Sequence, residues 1–125
     1  MRLLLDTHVF IWGAMNDRRL CKNARGLIRK ADEVFVSSAS IWEIAIKAGL
    51  GKLDVDVDLL VLEIHDSGFI ELPVHSTHAV RVRNMPLIHR DPFDRILVAQ
   101  AINGSLHLMT KDRKLAAYSH LVITV

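Results

Sequence analysis

The chain has 125 residues, half of them hydrophobic, and 24% of its residues are charged. Such a length and apolar content predict one compact domain over residues 1–125 and exclude a disordered chain. The formal net charge of +2 is too small to signal nucleic-acid binding by itself.

Residues 2–5 are an apolar run that predicts a short buried strand, and residues 7–15 predict a short helix. A polar loop follows at residues 16–19. Ala24, Leu27, Ile28 and Ala31 recur at i, i+3, i+4 and i+7, which predicts an amphipathic helix over residues 22–31. Residues 34–36 read as a second strand and residues 41–50 as a helix ended by Gly49 and Gly51. A further helix is expected at 57–65, a strand at 69–72 and a helix at 75–84. Pro92 opens a helix that runs to residue 103, where Gly104 stops it. Residues 106–109, 113–118 and 121–125 complete the pattern as strand, short helix and strand.

Strands therefore alternate with helices throughout, and the strands are almost wholly apolar. This is the mark of a parallel sheet covered on both faces, so the expected fold is α/β, a three-layer α/β/α sandwich of about five mostly parallel strands. No apolar run approaches the ~20 residues of a membrane span. The opening residues fall far short of a secretory signal. The lone Cys21 allows no internal disulfide and has no activating neighbour. These features agree with a cytoplasmic protein.

Four carboxylates sit where an apolar run gives way to a helix start: Asp6, Glu43, Asp94 and Asp112. On parallel strands they would gather at the carboxyl ends of the sheet, where open α/β sheets bind ligands. Converging carboxylates call for a divalent cation, and hard oxygen ligands suit Mg²⁺ or Mn²⁺. Each acid also has a structural reading. Ser40-Ile41-Trp42-Glu43 matches a capping box. Asp91-Pro92-Phe93-Asp94 fits an N-cap Asp, Pro at N1 and an acid favoured by the helix dipole. Asp6 and Asp112 could cap the helices that follow them. The readings are compatible, because helix N-termini stabilise ionised carboxylates.

Other chemistries lack their motifs. There is no dinucleotide or phosphate-binding glycine loop, no nucleophile elbow, no H-E-x-x-H and no Cys pair, which speaks against a zinc site. His8 and His89 lie beside the acids and are candidates to touch substrate. Basic residues crowd Arg18 to Lys30, read either as a solvated helix face or as a binding patch, and Lys111, Arg113 and Lys114 flank Asp112.

The strings Leu3-Leu4-Leu5-Asp6-Thr7-His8, Ser37 to Lys47, His89 to Ala101 and Met109-Thr110-Lys111-Asp112 resemble the PIN-domain family. The branch they are most similar to is the VapC-type toxin ribonucleases of type II toxin–antitoxin systems. The resemblance implies a metal-dependent endoribonuclease with RNA as substrate, an antitoxin protein as partner, a homodimer, and one or two Mg²⁺ or Mn²⁺ ions. By position, Asp6, Glu43 and Asp94 match the family's acidic triad and Asp112 its fourth acid, with Thr110 the hydroxyl residue beside it. Asp91 belongs to the same motif. Arg90, Arg95, Lys111 and Arg113 are candidates to steer the phosphate backbone. Lys47 is placed to pair with Glu43. Phe10, Ile11 and Trp12 are expected either to meet the antitoxin or to sit in the core. A non-catalytic RNA-binding or scaffold module of the same fold, and a metal hydrolase of small phosphate esters, are the competing readings.

Overall fold

The computed structural model describes residues 1–125. In chain order its elements are β1 (Arg2–Leu5), α1 (Thr7–Ala14), α2 (Lys22–Lys30), β2 (Glu33–Ser37), α3 (Ser38–Gly49) and α4 (Val57–Asp66). There follow β3 (Ile70–Leu72), α5 (Ser76–Val82), α6 (Pro92–Gly104), β4 (His107–Thr110), a 3-10 turn at Arg113–Ala117, and β5 (Val122–Thr124). The five strands form one parallel sheet in the order β3-β2-β1-β4-β5. The expected α/β class and strand pattern are therefore present.

Leu3, Leu4 and Leu5 of the central strand are fully buried because both sheet faces are covered. Leu3 and Leu5 pack with Val9, Phe10, Ile44, Leu60 and Ile64, so α1, α3 and α4 lie on one face. Leu4 points the other way, into Phe35, Leu97, Val98, Ala101, Leu108 and Leu115, under α6 and the 3-10 turn. Successive strand side chains alternate between faces, so one short apolar run serves two cores.

The strand order matters for function. From β1 the chain moves outward through β2 and β3 on one side, then returns to lay β4 and β5 on the other. The reversal lies between β1 and β4, and ligands bind open α/β sheets outside the carboxyl ends at such a reversal. The chain leaves β1 through Asp6 and β4 through Thr110 and Asp112.

Two expectations are corrected. Helix α3 begins at Ser38, three residues before the predicted start, with the Ser37 hydroxyl accepting the Ala39 N–H at 3.0 Å. The capping box of Ser40 and Glu43 therefore does not form, and both residues stand inside the helix. Phe10, Ile11 and Trp12 are buried, so they belong to the core rather than to a partner surface. The exposed apolar side chains lie elsewhere, Leu59, Val61 and Leu62 of α4 among them. No helix is long and apolar enough to cross a membrane.

Leu4→Ala should cost about 2–5 kcal/mol, because it opens a cavity beneath α6 that the sheet cannot close. Urea unfolding followed by circular dichroism measures it.

Candidate metal centre

Asp6 ends β1 and caps α1. Its Oδ1 accepts the Val9 N–H at 2.8 Å, and its Oδ2 accepts the Thr110 hydroxyl at 2.6 Å. Asp6 is 5% exposed. Burial pushes its carboxyl above the usual range, against the pull of Thr110 and Val9. The Thr110 oxygen in turn accepts the Asp112 N–H at 3.0 Å. One hydroxyl thus links the carboxyl ends of β1 and β4.

Glu43 reaches the same place from the interior of α3. The Thr7 hydroxyl donates to its Oε1 at 2.7 Å and shares a 3.0 Å hydrogen bond with Ser40. Lys47, one turn on, donates to Oε2 at 2.7 Å. That bond holds the Lys47 ammonium above its ordinary range.

The start of α6 supplies two acids. Asp91 is the N-cap, with Oδ1 accepting the N–H groups of Phe93 (2.8 Å) and Asp94 (3.3 Å), and Pro92 stands at N1. Asp94 has no such donor on its carboxylate. Burial, and then the charge of Asp91, push its carboxyl up to about 7. Asp112 caps the 3-10 turn through Oδ1, which accepts the Lys114 N–H at 3.0 Å. Burial acts to raise its carboxyl, but the Lys114 N–H and the His89 ring outweigh burial and hold it below the usual range.

Asp6, Glu43, Asp91, Asp94 and Asp112 line one cleft of about 490 Å³ together with His8, Trp12, Arg19, Lys47 and Lys111. The four predicted acids are therefore brought together. They are not equivalent within it. Asp94, Asp112 and His89 place one oxygen or nitrogen each within 4.8 Å of one another. Asp6 and Glu43 share the cleft but stand outside that group.

Other candidate residues are placed differently from the sequence reading. Thr110 is fully buried and bonded to Asp6, so it positions an acid and does not face substrate. Arg95 is used within the fold: its guanidinium donates to the carbonyls of Val82 (3.1 Å), Pro86 (3.4 Å) and His89 (3.4 Å). Arg90 and Arg113 are exposed and are absent from the cleft lining. Lys111 does line it, with its ammonium 4.8 Å from the centroid of the Trp12 ring. Arg19, grouped by sequence with a basic helix face, lies 5.1 Å from the same ring and also lines the cleft.

The donor set fits a divalent cation. It is dominated by hard carboxylate oxygens, and the burial and the Asp91 charge that lift Asp94 both oppose the ionised form that a bound cation favours.

The PIN domain family model matches residues 3–121. Ribonuclease VapC22 of Mycobacterium tuberculosis is 31% identical over 126 aligned residues, which cover 94% of this chain and 92% of that protein. Among solved structures, VapBC2 from Rickettsia felis bound to a DNA fragment from their promoter aligns with a TM-score of 0.71 at 14% identity, over 100% of this chain and 98% of that one. A toxin–antitoxin complex from Klebsiella pneumoniae gives 0.70 at 20% identity, over 98% of this chain and 96% of that one. At such identities the structural likeness establishes the fold.

Thr110→Val should destabilise the chain by roughly 1–3 kcal/mol, since it leaves a buried carboxylate oxygen and the Asp112 N–H without partners; equilibrium unfolding measures it. A second prediction concerns pH. The folded chain holds the Asp94 proton up to about 7, whereas the unfolded chain releases it near 3.8. Ionising Asp94 therefore costs stability that accumulates as pH rises from about 4 to 7. In the metal-free protein, Asp94→Asn should melt higher than the unaltered chain at pH 8, and the difference should shrink toward pH 4. A melting series across that range checks it.

Proposed function

This chain belongs to the PIN domain family, and from that premise we propose that it is a divalent-metal-dependent endoribonuclease acting as the toxin of a toxin–antitoxin pair. The observation that carries the proposal is the cleft at the β1/β4 reversal, where five carboxylates meet beneath a rim that includes Lys111 and Arg19. Similarity to a protein named as a ribonuclease supports RNA as the substrate. We extend the proposal to an antitoxin as the partner, to a homodimer and to a cytoplasmic location.

In this reading Asp6, Glu43, Asp94 and Asp112 hold one or two Mg²⁺ or Mn²⁺ ions. Bound there, the metal would supply activation of a water and neutralisation of charge on the phosphate. The chain's own groups do the rest. Thr110 and Val9 fix the Asp6 carboxylate, and Thr7 and Lys47 fix Glu43, so neither acid has to be ordered when substrate arrives. Lys111 and Arg19 draw the phosphodiester into the cleft and orient it. Water attacking phosphorus in line leaves a 5′-phosphate and a 3′-hydroxyl.

Purified chain incubated with transfer and ribosomal RNA should cleave in Mg²⁺ or Mn²⁺ and not in EDTA. Asp6→Asn keeps a side chain able to cap α1, and it should reduce cleavage by roughly 10²-fold or more. Products ending in a 2′,3′-cyclic phosphate would overturn the mechanism. RNA binding unaffected by EDTA, with no cleavage of any substrate, would favour the non-catalytic RNA-binding module.

A further inference from the structure

We infer that His89 is a positioning residue: a neutral imidazole, protonated on Nε2, that holds Asp112 beside Asp94 for one cation without itself entering the coordination. The inference rests on the carboxylate metal site proposed above.

The ring's two nitrogens have different partners. Nδ1 accepts the backbone N–H of Asp91 at 3.0 Å. A nitrogen that accepts an N–H carries no proton, so the proton of the neutral ring is on Nε2. Nε2 lies 2.8 Å from Asp112 Oδ2 and 3.4 Å from Asp94 Oδ2. The Nε2–H therefore donates to Asp112. With its proton in place, Nε2 offers no lone pair to a cation, although it lies among the atoms that converge within 4.8 Å. A hard oxygen site also gains little from an imidazole ligand.

The backbone of His89 is held as well. The His89 N–H donates to the Tyr118 oxygen at 2.8 Å, and the same oxygen accepts the Ile88 N–H at 3.1 Å. The Tyr118 hydroxyl and the Arg95 guanidinium both lie 3.4 Å from the His89 carbonyl as donors. Asp112 and Tyr118 are the two caps of the 3-10 turn after β4. Both ends of that turn therefore grip His89, one through the ring and one through the backbone. The loop before α6 and the turn after β4 are closed on each other, and Asp112 is set facing Asp94. Without the ring, two like charges near the surface have no tie between them, and the Asp112 side chain is free to turn to solvent.

Mn²⁺ affinity at fixed pH tests this in the unaltered chain, His89→Ala and His89→Gln. The Gln amide restores an N–H close to where Nε2 stood. His89→Ala should weaken Mn²⁺ binding by about 10–100-fold, the range seen when a partner of a metal ligand is removed, and His89→Gln should recover most of it. Pulsed electron paramagnetic resonance of Mn²⁺ on the unaltered chain should show no directly coordinated ¹⁴N. Ring ¹⁵N shifts of the metal-free chain should place the proton on Nε2. Unchanged affinity in His89→Ala, a coordinated ¹⁴N, or a proton on Nδ1 would each overturn the inference while leaving the metal site intact. Failure of the unaltered chain to bind Mn²⁺ would overturn the metal reading and this inference together. Should His89→Ala not fold, the ¹⁴N and ¹⁵N measurements on the unaltered chain decide.

Discussion

A carboxylate buried at the end of the central strand sets the terms for the rest of the site. Asp6 is almost without solvent, and an ionised group there is costly unless other groups replace its water. The replacements come from two elements. The first turn of α1 gives the Val9 N–H, and β4 gives the Thr110 hydroxyl. The second depends on register. Leu5 pairs with Met109, and the Asp6 N–H donates to the Met109 carbonyl at 3.0 Å, so Thr110 arrives beside Asp6. The alignment that packs the leucines of β1 against β4 thus delivers the hydroxyl as well. Because Thr110 also takes the Asp112 N–H, the group that satisfies one acid fixes where another leaves the sheet.

The cations of the cleft are arranged so as not to quench it. Lys47 is committed to Glu43. Lys111 and Arg19 have another seat, the faces of the Trp12 ring, and Arg19 is further tied to Asp17 by a 2.7 Å ion pair. They contribute positive potential at the rim, and neither Asp94 nor Asp112 is ion-paired to a lysine or arginine. Leaving the repulsion in place is the kind of local inconsistency expected where a protein binds a ligand.

Much of this was legible because it is local. Short apolar runs bounded by helix starts predict buried parallel strands. Acids at those junctions must then meet at one edge of the sheet, whatever their separation in sequence. What local pattern does not carry is which side chain bonds which across the fold. Thr7, at the start of α1, bonds both Glu43 and Ser40 of α3, and nothing in either segment announces the pairing. Arg95 looks like a phosphate contact from its place in a basic, acid-flanked string, yet the carbonyls of Val82, Pro86 and His89 claim it. Ser37 displaced Ser40 as the cap of α3 because the last residue of β2 already has an extended backbone and a hydroxyl aimed at the Ala39 N–H. Phe10, Ile11 and Trp12 gave no amphipathic signal, and three consecutive apolar residues are all buried because α1 is covered on most of its circumference.

The capping and ligating readings of the acids prove to be two uses of one carboxylate. Asp6, Asp91 and Asp112 each turn Oδ1 to backbone N–H groups at the start of a helix or turn. Those bonds stabilise the ionised form before any cation is present. In Asp6 and Asp112 the second oxygen is also engaged, by a hydroxyl and by an imidazole N–H, each of which leaves lone pairs on that oxygen. Asp94 is the exception. Its position at N3 places it near the helix dipole, but no backbone N–H or hydroxyl reaches its carboxylate, and His89 is 3.4 Å away. Burial and the charge of Asp91 therefore act on it with little to offset them, and its carboxyl is lifted to about 7. A cation entering the cleft gains most where compensation is least. The capped acids form the rigid frame of the site, and Asp94 is the member whose charge the frame leaves for the metal to balance.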